Sequence, residues 1–174
     1  IVRPSRTSYD EEKLRSVLGQ LALGINALHE AGKVHRDIKP SNVMVSHEGR
    51  VVLLDFGLVT DEDSSHSMTG CHAVGTAPYM SPEQAASKPL TTASDWYSVG
   101  IILYEALTGR LPFTGKAMEI MVDKQTRIPP PPRAHKPGVP KDLDKLCVDL
   151  LSIDPNERPS PKTILKYFAV DEEA

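Results

Sequence analysis

Residues 34–45 of the chain read VHRDIKPSNVMV, and residues 53–58 read LLDFGL. The two stretches bring two carboxylates, Asp37 and Asp55, to the ends of neighbouring short apolar runs. Asn42 adds a neutral amide oxygen, and Lys39 a mobile positive charge. A few carboxylate and amide oxygens suit Mg²⁺, which keeps several waters and takes other ligands from phosphates. A remaining carboxylate can orient a hydroxyl and accept its proton, while a lysine offsets charge on a transferring phosphoryl group. Gly57 permits a sharp backbone turn behind Asp55. Metal-assisted phosphoryl transfer to an alcohol requires this set of groups.

Such residues need rigid elements to hold them. From Asp10 to Ala31, Leu14, Val17, Leu18, Leu21, Ile25 and Leu28 follow the spacing of an amphipathic helix. Asp10, Glu11 and Glu12 suit its N-terminus and Gly32 its C-terminal cap. The runs NVMV and VVLL, separated by SHEGR (46–50), predict a β hairpin, so the chemistry sits at strand ends and in tight loops. Residues 58–81 read as a long surface connection without sustained period, a length more often functional than accidental. SDWYSVGIILYEALTG (94–109) predicts a largely buried helix ended by Gly109. KAMEIMVDK (116–124) predicts a short helix. IPPPPRAHKPGVP (128–140), which holds six of the 15 prolines, reads as extended or polyproline-like. KDLDKLCVDLLS (141–152) is amphipathic again, and SPKTILKYF (160–168) predicts a closing helix with Pro161 near its first position. The expected fold is mainly α, α+β overall: helices around one small hairpin. There is no internal repeat.

With 174 residues, the chain suits one domain. Hydrophobic residues at 40% and charged residues at 25% are ordinary for a globular protein. A net charge of −3 leaves no electrostatic footprint for nucleic acid or an anionic membrane. The most apolar run, SVGIILYEAL (98–107), is interrupted by Glu105 and is too short for a membrane span. Nothing at the start resembles a secretory signal. Cys71 and Cys147 stand apart, with no second ligand at metal spacing, so a reducing, cytoplasmic setting is expected. The first residues, IVRPSRT, lack a Met, as expected of a piece of something longer.

HRDIKPSN (35–42) resembles the catalytic loop of protein kinases, H-R-D-L-x-x-x-N, with Ile38 in place of Leu, and DFG (55–57) matches that family outright. GTAPYMSPEQ resembles the end of an activation segment, with SPE (81–83) where the family usually has A-P-E. DWYSVG resembles the start of the buried central helix of the large lobe, and DPNERPS a loop whose Arg pairs with the Glu of A-P-E. Five ordered motifs span nearly the whole chain, whereas H-R-D or D-F-G alone would be weak. The resemblance implies a catalytic domain over 1–174 that consists of the large lobe only, with a catalytic loop at 35–42 and an activation segment at 55–83. It implies Asp37 as catalytic base, Asn42 and Asp55 as Mg²⁺ ligands (Mn²⁺ being the alternative), and Lys39 on the phosphoryl group of ATP. Lys39 and Thr76 resemble the serine/threonine branch, with Thr76 supporting Asp37 and Lys39. The wording of GTAPYMSPEQ and the proline run look most like bacterial, eukaryotic-type enzymes. Glu83 with Arg158, and Asp95 against the catalytic-loop backbone, are implied to hold the scaffold. Arg36 implies regulation, by holding a phosphate on the activation segment. Of Ser64, Ser65, Ser67 and Thr69, the first choice for that phosphate is Thr69 and the second Ser67.

The kinase set also needs a Gly-rich loop over the phosphates and a strand Lys paired with a helix Glu. No G-x-G-x-x-G occurs, and nothing before residue 10 reads as a strand bearing that Lys. The small lobe is therefore expected upstream of Ile1, as a partner from the same polypeptide. Partners otherwise expected are proteins with Ser or Thr acceptors, with no nucleic acid and no membrane contact from this segment; the parent is open to tethering by other segments. Alone, the chain is expected to bind ATP·Mg²⁺ weakly and to transfer phosphate slowly or not at all. Two other readings stay open: a pseudokinase-like binding scaffold, and a small-molecule phosphotransferase of kinase-like fold. The bland reading is preferred for His35 as a buttress, Phe56, Trp96 and Tyr97 as core, Cys71 as inert, the proline run as an inter-helix connection rather than a PxxP ligand, and the terminal DEEA as a solvated end.

Overall fold

The computed structural model describes residues 9–55, 60–61 and 73–168. Phe56, Gly57, Ser64, Ser65, Ser67, Thr69 and Cys71 lie outside the described residues. Helix α1 (Glu11–Glu30) starts where the Asp10 carboxylate accepts the Lys13 N–H at 3.1 Å, and it buries Leu18, Leu21, Ala22 and Ile25. Next come β1 (Lys33–Val34), a 3₁₀ turn at Pro40–Asn42, β2 (Val43–Val45) and β3 (Val51–Leu53). β2 and β3 pair antiparallel, with Val43 opposite Leu53 and Met44 opposite Val52, so the predicted hairpin is present.

Two stretches depart from the sequence reading. Within 58–81 the chain forms β4 (Thr60–Asp61), antiparallel to β1 with Lys33 opposite Asp61, and a helical turn α2 (Ala73–Thr76). A two-residue strand shows no period; its pairing with a segment nearly thirty residues away defines it, and a local pattern cannot carry that. The proline run is extended only up to Pro131; α6 (Pro132–His135) is a helical turn that begins on a proline. Proline is tolerated there because its missing N–H falls in the first turn, where no intrahelical acceptor awaits it.

The remaining helices are α3 (Pro82–Ala85), α4 (Thr92–Thr108), α5 (Ala117–Thr126), α7 (Lys141–Leu150) and α8 (Pro161–Tyr167). α4 is the axis of the molecule. Trp96, Tyr97, Val99, Ile101, Leu103, Tyr104 and Leu107 are all at most 2% exposed, which makes the helix apolar around most of its circumference. Gly109 closes it in the left-handed region at φ 75°. α7 crosses α4 at Gly100, where a β-carbon would stand 2.8 Å from Leu150 Cβ, so only glycine permits this approach. The first turn of α4 is polar instead, and Ser94, Asp95 and Ser98 are nonetheless buried. Buried polar groups on the central helix need partners, and those partners form the site.

Candidate functional site

Arg36 has φ 68°, a left-handed backbone that costs a non-glycine residue about 1–3 kcal/mol. The loop is held in that shape from both sides. Asp95, 1% exposed, accepts the Arg36 N–H on Oδ1 and the His35 N–H on Oδ2, each at 2.8 Å. His29 Nε2 of α1 meets the same Oδ2 at 2.8 Å. On the far side, Gln84 Nε2 donates to the Arg36 carbonyl at 2.7 Å. Gln84 is itself set by a capping box with Ser81 at the start of α3. The Arg36 side chain is buried too; burial lowers its pKa and the Asp95 charge partly restores it.

The next residue receives the geometry. Asp37 Oδ1 accepts the Thr76 hydroxyl at 3.2 Å, and Oδ2 accepts Asn42 Nδ2 at 3.0 Å and Lys39 Nζ at 2.7 Å. Lys39 Nζ also donates to Thr76 Oγ1 at 2.9 Å, closing a triangle of Asp37, Lys39 and Thr76. Asn42 Nδ2 reaches the Asp37 carbonyl as well, at 2.9 Å, so its amide nitrogen is used twice on one residue. Its amide oxygen accepts nothing among the described residues.

The hairpin places Asp55 beside this loop. Leu54 N–H donates to the Asn42 carbonyl at 2.7 Å, and the Leu54 carbonyl meets His35 Nε2 at 3.2 Å. His35 thus spans the two loops with its ring; with Nε2 donating to Leu54, Nδ1 faces the Asp37 N–H at 3.4 Å as acceptor. Asp55 follows, exposed, with φ 59°, a left-handed conformation that Asp tolerates better than most residues. Among the described residues no group of three or more His, Cys, Asp or Glu could hold a metal ion by itself. The Asn42 amide oxygen and the Asp55 carboxylate fit a hard cation that takes its other ligands from phosphate and water, as Mg²⁺ does. Met44 and Leu54, on the outer face of the hairpin, are 48% and 37% exposed, large apolar side chains next to this polar loop.

A second polar cluster lies deeper. Glu83 and Arg158 form a two-pronged pair, Arg158 Nη1 to Oε1 at 2.7 Å and Nη2 to Oε2 at 2.8 Å, and the Ser94 hydroxyl donates to Oε1 at 2.7 Å. Burial alone would raise the Glu83 carboxyl. The Arg158 hydrogen bonds and charge, with the Ser94 hydroxyl, bring it below its ordinary value instead. Lys124 of α5, wholly buried, donates to the carbonyls of Pro78 and Met80, each at 2.6 Å. Burial pushes its amine down to about 7.

The structure thus gathers Arg36, Asp37, Lys39, Asn42, Thr76 and Asp95 into one network, with Asp55 across the hairpin and Glu83–Arg158 beneath. Thr69, Ser67 and Gly57 lie outside the described residues. Sequence reasoning passed over Gln84, His29 and Lys124. Gln84 had a local signal, the S-x-x-Q capping-box spacing of Ser81 and Gln84. Lys124 had one as well, since it lies one turn after Ile120 on the buried side of α5. His29 had none, because its partner is 66 residues away.

A family model described as the protein kinase domain matches residues 1–168. The probable serine/threonine-protein kinase PknB of Bifidobacterium longum is 44% identical over 146 residues, which is 80% of this chain and 21% of that protein. The serine/threonine-protein kinases PknL and PknB of Mycobacterium tuberculosis are 42% and 40% identical; they cover 83% and 82% of this chain, which corresponds to 36% and 23% of their own lengths. The chain therefore spans about a third or less of the curated relatives it matches. Among solved structures, the twitchin kinase region from C. elegans superposes with a TM-score of 0.81 at 27% identity, covering 98% of this chain and 31% of that one.

Proposed function

The chain belongs to the protein kinase domain family, and we propose that the protein carrying it transfers the γ-phosphoryl group of ATP to Ser or Thr hydroxyls of proteins, with this chain as its large lobe. The observation that carries the proposal is the Asp37 carboxylate, 6% exposed and held by three donors from Thr76, Asn42 and Lys39. Three fixed donors define where its lone pairs point, as a base that must meet one hydroxyl requires. In this reading Asp37 orients the acceptor hydroxyl and takes its proton. Lys39, balanced between Asp37 and Thr76, offsets charge on the phosphoryl group as it passes. Asn42 through its amide oxygen and Asp55 through its carboxylate hold Mg²⁺, or Mn²⁺ in its place. When bound, the ion would neutralise charge on the phosphate oxygens. Met44 and Leu54 give the adenine side an apolar floor that the rest of the nucleotide pocket, carried by a small lobe, would close over.

The test is phosphoamino-acid analysis after incubating the intact protein with γ-labelled ATP, Mg²⁺ and protein substrates. Label on serine and threonine is the expected result, and it should disappear with Asp55→Asn. Label on tyrosine alone, or none from an intact protein with a complete small lobe, defeats the reading; the second outcome favours a binding scaffold. Calorimetry with the isolated chain should show ATP·Mg²⁺ binding weaker than micromolar.

We also propose that a phosphate on Thr69, or on Ser67 as second choice, is received by Arg36. Support comes from the fixed Arg36 backbone and buried side chain beside Asp37. A Thr69→Ala, Ser67→Ala double variant with full activity would defeat it. No helix among the described residues is long and apolar enough to cross a membrane. We infer a cytoplasmic setting, where ATP and Ser/Thr protein substrates meet, whether or not other segments tether the protein.

A further inference from the structure

Lys124 is the one lysine among the described residues that is 0% exposed, and no carboxylate among them pairs with it. A buried amine without a counter-ion is costly to keep, and methionine or leucine would fill the same volume without that cost. Its hydrogen bonds indicate what it does there. Both go to backbone carbonyls of one short segment, Pro78 and Met80, at 2.6 Å each. The carbonyl between them, that of Tyr79, accepts the Ser98 hydroxyl of α4 at 2.8 Å. Three successive carbonyls are thus drawn inward onto donors, while the Tyr79 and Met80 N–H groups both donate to the Thr76 carbonyl, at 2.9 and 3.2 Å. The Lys124 amine also lies over the Tyr97 ring, 5.4 Å from its centroid, and Arg158 lies over the same ring at 5.0 Å.

Residues 76–80 therefore form a turn with both ends fixed. One end is Thr76, whose hydroxyl touches Asp37 and Lys39. The other is held by α5 through a single side chain. The path from Lys124 Nζ to the Met80 carbonyl, from the Met80 N–H to the Thr76 carbonyl, and from the Thr76 hydroxyl to Asp37 Oδ1 is contiguous. An acceptor hydroxyl presented to Asp37 brings its neighbouring peptide residues against this turn.

We propose that Lys124 is a positioning residue for the protein substrate: from α5 it pins the carbonyls of Pro78 and Met80, and so fixes the turn 76–80 on which the peptide flanking the acceptor hydroxyl rests. This rests on the kinase reading above. A neutral amine keeps two N–H groups and an ammonium three, so both carbonyls are served in either state. An apolar replacement leaves both buried carbonyls without a donor, which costs each its desolvation. The turn then relaxes at the end away from Asp37, and what suffers is substrate alignment rather than nucleotide binding.

Two measurements test this. In the intact enzyme, Lys124→Met should raise KM for a Ser/Thr peptide about tenfold or more, with KM for ATP within about twofold. Lys124→Arg, which restores donors, should recover much of the peptide KM. An unchanged peptide KM, or parallel losses in both KM values and kcat, overturns the proposal. Hydrogen exchange on the wild-type protein gives an answer even if the variant fails to fold. The Tyr79 and Met80 amides should exchange about a hundredfold or more slower than unstructured amides with no substrate present; exchange at the unstructured rate overturns the clamp. A wild-type enzyme inactive on Ser and Thr would sink the kinase reading, and the exchange result would still judge the clamp by itself.

Discussion

Neighbouring residues of α4 supply two polar clusters that use their hydrogen-bonding capacity in opposite ways. Asp95 holds the backbone of His35 and Arg36 and so sets the loop that carries Asp37, Lys39 and Asn42. Asp37 is fixed by three donors, the Asn42 amide oxygen accepts nothing among the described residues, and Asp55 is exposed. One residue earlier, Ser94 points to Glu83, and there the groups are spent on each other. Glu83 takes both prongs of Arg158 and the Ser94 hydroxyl, and Arg158 reaches the carbonyls of Ser152, Ala93 and Ile153 besides. The loop is built by fixing backbone, which leaves the Asn42 amide oxygen without a donor among the described residues and the Asp55 carboxylate exposed; the deeper cluster is built by using side chains up. Polar residues of equal burial therefore differ in what their removal should damage.

The sharpest way to break that comparison is Asp37→Asn. The amide is nearly isosteric, and with its oxygen accepting from Asn42 and Lys39 and its –NH2 donating to the Thr76 hydroxyl, the loop should keep its shape while the proposed base is gone. A kcat loss of about 10³-fold or more is expected, within reach of what general-base removal costs, with the melting temperature within a few degrees of the parent. Substantial unfolding would mean that Asp37 is as structural as Glu83, and the distinction between the clusters would collapse.

Glu83→Gln is the converse. It strands a guanidinium that is 1% exposed, and breaking a buried pair from one side costs about 3–5 kcal/mol. Urea unfolding should show that loss, with activity per folded molecule affected far less. The acid limb of stability should change as well. The folded Glu83 carboxyl titrates below its unfolded value of 4.5, so its contribution is complete above that pH and is lost as pH falls through the lower, folded value. Glu83→Gln should flatten this part of the acid slope. An unaltered slope would mean that Arg158 is stabilised by its carbonyl partners and Glu83 is dispensable.

How far the two clusters are legible in the sequence follows from the same contrast. The loop is local: Asp37, Lys39 and Asn42 lie within six residues, the hairpin brings Asp55 back across SHEGR, and the helices around them announce themselves by periodicity and caps. Both carboxylates and the amide stand out by residue type and spacing alone. The strand Thr60–Asp61 and the helical turn at Pro132 are not legible, the first because its partner is distant, the second because proline argues against helix everywhere except where it begins one. Glu83–Arg158 and Asp95 come only with a family resemblance, since 75 residues separate the first pair and no spacing rule links them. Lys124 escapes for a subtler reason. A lysine reads as solvated by default, and only the phase of α5, with Ile120 one turn before it, argues for an inward side chain.

The smallest expected effect belongs to an ion pair that shares the chemistry of Glu83–Arg158 but not its burial. Arg15 on α1 meets Glu11 and Asp142, both at 2.8 Å, and donates to the Tyr167 carbonyl at 3.1 Å, joining α1 to α7 and to the end of α8. Its side chain is 25% exposed and its two partners nearly half exposed, so water and salt screen most of the attraction. Its hydrogen bond to Asp142 raises the Arg15 pKa and depresses that of Asp142. Even so, exposed pairs are worth little, because ordering long side chains offsets much of the gain. Arg15→Ala should therefore cost about 1 kcal/mol or less in urea unfolding at low salt, and less again at 1 M NaCl. A loss as large as that of Glu83→Gln, unchanged by salt, would show that joining three helices matters more than burial, and the lesson drawn from the two clusters of α4 would have to be restated in terms of connectivity.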